Sequence, residues 1–176
     1  MKHRRLHIGG KQSNPGWEVL NVVAGPAVDH LGNAIDLSRF EDNIFLELYA
    51  SHVLEHFDYA NELGLVLDEW FRVLKPGGRI YISVPDLDVL ARLMLERDKL
   101  DINQRFHIMR MIFGGQTDEY DYHKVGLNFE FLCSFLKKAG FTGIQKVDEF
   151  RIFHDTSSYE PYGTLISLNV LAHKQV

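Results

Sequence analysis

Apolar positions come as short continuous runs in the first third of the chain and as helical stripes in the middle. Leu6-His7-Ile8 is a short run closed by Gly9-Gly10, and Glu18 to Ala24 is a valine-rich run closed by Gly25-Pro26. Both read as buried strands. A short strand is placed at His30-Leu31, and Phe45 to Ser51 is a further clear strand. From Tyr59 to Leu74 the period changes. Leu63, Leu67, Trp70, Phe71 and Leu74 form one helical stripe, ended by Pro76-Gly77-Gly78. Arg79 to Val84 is again a strand, stopped by Pro85.

A helix capped by Asp86 or Asp88 follows, with Leu87, Leu90, Ala91, Met94 and Leu95 on one face. The next helix, Ile102 to Phe113, is expected to bury Ile102, Phe106, Met109 and Phe113. After the polar, aromatic-dotted stretch Gly114 to Gly126, Asn128 caps a helix from Phe129 to Ala139, with Gly140 at its C′ position. Ile144 to Phe150 and Leu165 to Ala172 are closing strands, joined by the polar loop His154 to Gly163. Alternating strands and helices predict a single α/β domain over residues 1–176, a doubly wound, mostly parallel sheet with helices on both faces. The gap between the first two strands is short for a parallel crossover, which usually takes a dozen or more residues. The first crossover helix is therefore read as missing or shortened.

Composition narrows the field modestly. The chain has 176 residues, 45% hydrophobic and 24% charged, which suits one globular domain able to fold without disulfide or metal. The net charge of −5 argues against nucleic acid as the main partner. Cys133 is the single cysteine, so an intrachain disulfide and a four-cysteine zinc site are excluded, and the thiol is read as a small core residue. The basic start, Met1 to Arg5, has no apolar run behind it, so no signal peptide, no membrane span and a cytoplasmic location are expected.

The chemistry concentrates in Tyr49-Ala50-Ser51-His52-Val53-Leu54-Glu55-His56-Phe57, followed by Glu69-Trp70-Phe71-Arg72-Val73-Leu74-Lys75-Pro76-Gly77-Gly78-Arg79-Ile80-Tyr81-Ile82-Ser83-Val84-Pro85. With Ala139-Gly140-Phe141, and Gly114-Gly115-Gln116 ahead of His123-Lys124, these blocks resemble the class I S-adenosylmethionine-dependent methyltransferases. The nearest likeness is to the small methyltransferase-type-11-like proteins of bacteria. The resemblance implies a Rossmann-like, seven-stranded sheet with an antiparallel last strand. It also implies S-adenosylmethionine lying over the carboxyl ends of the first strands.

By match, Ile8, Gly9 and Gly10 form the glycine-rich loop, Asp36 and Leu37 flank the adenine, and Ala50, Ser51 and His52 lie beneath the reacting methyl group. Two positions depart from the family pattern. Lys11 follows Gly10 where a further glycine is usual, and Val23 stands where an acid usually binds both ribose hydroxyls. Asp29 or Asn21 is the candidate substitute.

Methyl transfer from a sulfonium needs in-line alignment above all, and a general base only when the acceptor is protonated. His52, His123 and Tyr122 are the candidate catalytic residues. The implied reaction is methylation of an unidentified small or medium-sized acceptor, related to sugars by analogy. The alternative is a non-catalytic binding domain of the same fold with a weakened cofactor site. A remote alternative is a zinc hydrolase, since His52, Glu55 and His56 fit the H-x-x-E-H pattern. The motif follows directly on a buried strand and no third acidic ligand stands out downstream. No metal is therefore expected, and Glu55 and His56 are read as fixing the turn behind His52.

Overall fold

In a computed structural model, residues 4–176 are described; Met1–His3 of the basic start lie outside the described residues. The strands are β1 (Arg4–Ile8), β2 (Glu18–Asn21), β3 (His30–Leu31), β4 (Phe45–Ser51), β5 (Leu74–Pro85), β6 (Thr142–Val147) and β7 (Ser167–His173). The helices are α1 (Leu63–Val73), α2 (Leu87–Leu95), α3 (Ile102–Phe113) and α4 (Phe129–Lys138). One seven-stranded sheet runs in the order β3-β2-β1-β4-β5-β7-β6. Pairings from β3 to β5 are parallel, and β7 is antiparallel to both of its neighbours. The sheet is thus of the doubly wound, mostly parallel kind that the sequence implies, with the antiparallel last strand.

The β1–β2 connection, residues 9–17, carries no helix. A turn closed by the Trp17 amide on the Asn14 carbonyl (3.0 Å) shortens it instead. Strand alternation then sorts the faces. Leu6, Ile8, Leu48, Ala50, Ile80, Ile82, Leu168 and Val170 face one side and pack with Leu63, Leu67 and Trp70 of α1 and Leu132 and Leu136 of α4. The Trp70 indole donates to the Ala34 carbonyl (2.9 Å) and so ties the segment after β3 to α1. On the opposite face, where a first crossover helix would lie, aromatic side chains form the cover. Phe153 packs on His7 and Tyr49 with ring centroids 3.9 and 4.7 Å away, and Trp17 and Phe150 close the sides.

Several boundaries differ from the sequence reading. The second strand stops at Asn21, because the Asn21 side chain takes the Val23 amide (2.9 Å) and bends the chain. The long helix starts at Leu63, not Tyr59, because the Asp58 carboxylate holds the amides of Ala60 and Asn61 in a tight turn. Asp86 caps α2, accepting from the amides of Asp88 and Val89. The bounds of α3 are as expected, fixed by a capping box between Asp101 and Gln104, but its buried face is not. Ile102 and Phe106 are 73% and 60% exposed, and Phe113 is exposed as well. Ile108 is the buried residue, packed in a small second cluster with Leu90, Leu93, Leu100 and Ile166. Cys133 is only partly buried. No helix of the described residues is long and apolar enough to cross a membrane.

Candidate active site

At the carboxyl edge of the sheet the chain leaves three strands in succession. Gly9 follows β1 in the left-handed region (φ 76°) and donates its amide to the Leu20 carbonyl (2.7 Å). A side chain is barred there: a Cβ on Gly9 would stand 2.5 Å from Val53, and one on Gly10 would meet the His7 ring at the same distance. Asn21, buried at the end of β2, locks this turn. Its side-chain NH2 donates to the carbonyls of Gly9 (3.1 Å) and Gly10 (2.9 Å).

Over these ends lies a cavity of about 480 Å³. Gly9, Asn21 and Val23 form one wall, Gly32 to Ala34 another, and the Thr117 to Tyr122 loop the lid. A second cavity of about 470 Å³ adjoins it, sharing Gly9, Lys11, His52, His56 and Asp121. Its remaining walls include His7, Ser51, Glu55, His123 and Asp155.

His52 ends β4 in the left-handed region (φ 54°), an unusual conformation for a residue with a side chain, of the kind that clusters at functional sites. Its amide donates to the Ser83 carbonyl (2.8 Å). Its Nε2 meets Ser167 Oγ at 2.9 Å, while that hydroxyl donates to the Thr156 carbonyl (2.8 Å). The single serine proton is thereby used, so His52 Nε2 is the donor and Nδ1 carries the lone pair. Nδ1 lies 3.4 Å from Glu55 Oε1. Burial holds His52 down to about 4, helped by the neighbouring His123, and pushes Glu55 up to about 8. At neutral pH the proton of this pair rests on Glu55. Burial also lowers His56 and His123. His56 Nδ1 donates to the Tyr122 carbonyl (3.1 Å), and the His56 and His123 rings meet edge to face at 5.0 Å. The cavity floor is therefore an uncharged cluster of imidazoles around one carboxyl group.

The structure brings together Gly9, Gly10, Ser51, His52 and His123 of the expected site residues. Of the others, Tyr122 alone reaches either cavity. Ile8, Ala50 and Leu37 point into the core. Asp36 is exposed and accepts from the Ser38 amide (3.0 Å), and Gly32 to Ala34 reach the cavity instead. Asp29 accepts from the Val19 amide (2.8 Å) and lines neither cavity, and Asn21 gives its side-chain NH2 to the glycine turn. Tyr122 lines the strand-end cavity at its rim and gives its carbonyl, not its hydroxyl, to His56.

The H-x-x-E-H reading also changes. Leu54–His56 is a 3₁₀ turn, not an α-helix, so His52 and His56 do not share a helical face. The three residues whose ligand atoms come together are Glu55, His56 and His123, within 4.8 Å of one another. Glu55 fixes the turn only through its backbone, its carbonyl accepting from the Lys124 amide (2.7 Å), while its side chain faces the cavity. His7 and Asp155 are among the wall residues that the sequence did not single out; the one available signal for His7 was a polar residue inside an apolar strand.

Residues 17–82 match the family described as methyltransferase domain. No curated protein matches the chain. Among solved structures, a possible exported protein from Bordetella parapertussis is 13% identical, with a TM-score of 0.60 over 99% of this chain and 64% of that one. The chain thus spans less than two thirds of that relative. A S-adenosylmethionine-dependent methyltransferase from Archaeoglobus fulgidus is 18% identical, with a TM-score of 0.61 over 98% of this chain and 86% of that one. The Burkholderia thailandensis 1,6-didemethyltoxoflavin-N1-methyltransferase, with its substrate and S-adenosylhomocysteine bound, is 16% identical, with a TM-score of 0.60 over 99% and 72%. The matched segment, 66 of the 176 residues, is similar to a methyltransferase domain, and the whole chain shares its fold with these solved structures.

Proposed function

We propose that the chain transfers a methyl group from S-adenosylmethionine to a small acceptor. In this reading the strand-end cavity takes the cofactor and the histidine cavity takes the acceptor. The observation that carries it is the juncture of the two cavities at Gly9 and His52, at the carboxyl edge of a sheet of this order. The cofactor's polar and apolar parts have partners there. Leu20, Val23, Ala34 and Phe57 offer apolar wall, the Gly9 turn offers close backbone approach, and Lys11 offers a cation for a carboxylate. The cofactor supplies a methyl group on a neutral leaving group. The chain supplies alignment and, for a protonated acceptor, a proton acceptor in the neutral imidazole of His123 or His56. His52 is a poorer base than its position suggests, since one nitrogen serves Ser167 and the other faces Glu55.

A second reading, a domain of this fold that binds cofactor weakly or not at all, is favoured by Val23. That side chain is 57% exposed at the end of β2 and offers the ribose no acceptor. Calorimetry with S-adenosylmethionine and S-adenosylhomocysteine separates the two. Saturable one-to-one binding supports the enzyme; no heat and no melting shift at millimolar ligand overturns it and leaves the second reading.

A further inference from the structure

The histidine cavity holds a carboxyl group that the fold leaves unsatisfied. Glu55 is 1% exposed, yet neither of its side-chain oxygens has a hydrogen-bond partner. Buried carboxylates are ordinarily hydrogen-bonded, paired with a cation or bound to a metal, because desolvation penalises an isolated charge. The groups nearest Glu55 are nitrogen donors. His123 Nε2 lies 4.0 Å from Glu55 Oε1, and ligand atoms of Glu55, His56 and His123 all fall within 4.8 Å of one another. His56 is held for the purpose. Its Nδ1 donates to the Tyr122 carbonyl, which can only accept, so Nε2 is left with its lone pair. Metal-ligating histidines are commonly oriented by just such a bond on the far ring nitrogen.

We propose that Glu55, His56 and His123 form a binding site for a divalent transition-metal ion in the floor of the histidine cavity. Two imidazoles and one carboxylate, formed as Glu55 releases its proton to solvent on binding, suit zinc or another first-row ion and leave a coordination position open. That position opens on the cavity lined by His52 and Asp121, where a small ligand with an oxygen or nitrogen donor would complete the sphere. Ligand atoms around a tetrahedral ion lie about 3.4 Å apart for bonds near 2.1 Å. The three side chains therefore draw together by about 1 Å as the ion enters. His52 is not among the three residues whose ligand atoms come within 4.8 Å of one another, although its Nδ1 lies 3.4 Å from Glu55 Oε1. The inference stands on this cluster alone and does not require S-adenosylmethionine to bind.

The test uses tag-free protein, stripped of metal by chelator and titrated with Zn(II) by calorimetry and with Co(II) by visible absorption. Saturable one-to-one binding is expected, with the strengthened d–d bands of a low-coordinate Co(II) site. Glu55→Gln and His123→Ala are each expected to weaken Zn(II) binding at least tenfold. His107→Gln, whose ring lies on α3 beside Tyr162, is expected to leave it unchanged. If either cluster variant misfolds by circular dichroism, His56→Ala takes its place. Absence of one-to-one binding up to millimolar metal overturns the proposal, as does an affinity that survives in the cluster variants.

Discussion

His7 makes acid sensitivity measurable at one residue. Its ring is 4% exposed, lies between Phe153 and Tyr49, and leaves Nδ1 buried without a partner. Burial lowers it to about 4, against a smaller opposing pull from Asp155. The unfolded chain titrates this side chain near pH 6.5. Below that value the unfolded state takes up a proton that the folded state refuses. The stability contributed by the neutral ring is complete above about pH 6.5 and falls as pH drops toward 4. A difference of about 2.5 pKa units, at 1.36 kcal/mol each, amounts to about 3 kcal/mol at full development, of which about 2.5 kcal/mol is developed at pH 4.5. His7→Leu has similar bulk and cannot be protonated. Urea unfolding of parent and variant from about pH 7.5 to 4.5 isolates the residue, because every other titrating group is common to both chains. The variant is expected to gain on the parent as pH falls, by about 2.5 kcal/mol at the acid end. A gap that stays constant within about 0.5 kcal/mol would show that the ring is hydrated in the folded state.

Asn21→Ala removes the lock on the glycine turn and should cost about 2–3 kcal/mol, read from urea midpoints, because it leaves the Gly9 and Gly10 carbonyls and the Val23 amide without their side-chain partner. Val23→Asp restores an acid at the exposed end of β2 and should tighten S-adenosylhomocysteine binding roughly tenfold in calorimetry, as expected of one charge-assisted hydrogen bond; unchanged affinity would place the ribose elsewhere. Phe106→Ser should alter stability by less than about 0.5 kcal/mol, since the ring is exposed on α3; a large loss would mean that this face is covered in solution.

The strands were legible where both flanks were marked. Phe45 to Ser51 is an unbroken apolar run, and the ends of α3 are written in Asp101 and Gly114. The buried face of α3 was not legible, because Ile102, Phe106 and Phe113 on one side compete with Ile108, Met111 and Ile112 on the other. Periodicity reports amphipathicity, and a helix apolar on both sides leaves the choice to its neighbours. In the site, Gly9-Gly10 and Ser51-His52 were readable because their chemistry is tied to strand ends. Gly32 to Ala34, not Asp36-Leu37, line the cavity, because residues 32–44 have no regular period from which their register could be read. Glu55 and His123 are 68 positions apart in sequence, and only the fold sets one against the other.

The aromatic cover that replaces a first crossover helix is drawn from distant parts of the chain. Trp17 comes from the first loop, whereas Phe150, Phe153 and Asp155 come from the segment just before β7. The bond from Tyr49 to Asp155 spans 106 residues, and the one from His52 to Ser167 spans 115. Such contacts cannot form on a nascent chain until nearly all of it has emerged, and their loop-closure cost makes them slow. The histidine cavity is therefore, like the pairing of β7 with β5, among the features that need almost the whole chain. A chain interrupted before residue 148 would lack both the wall that closes over His7 and His52 and the β7 strand that joins β5 to β6.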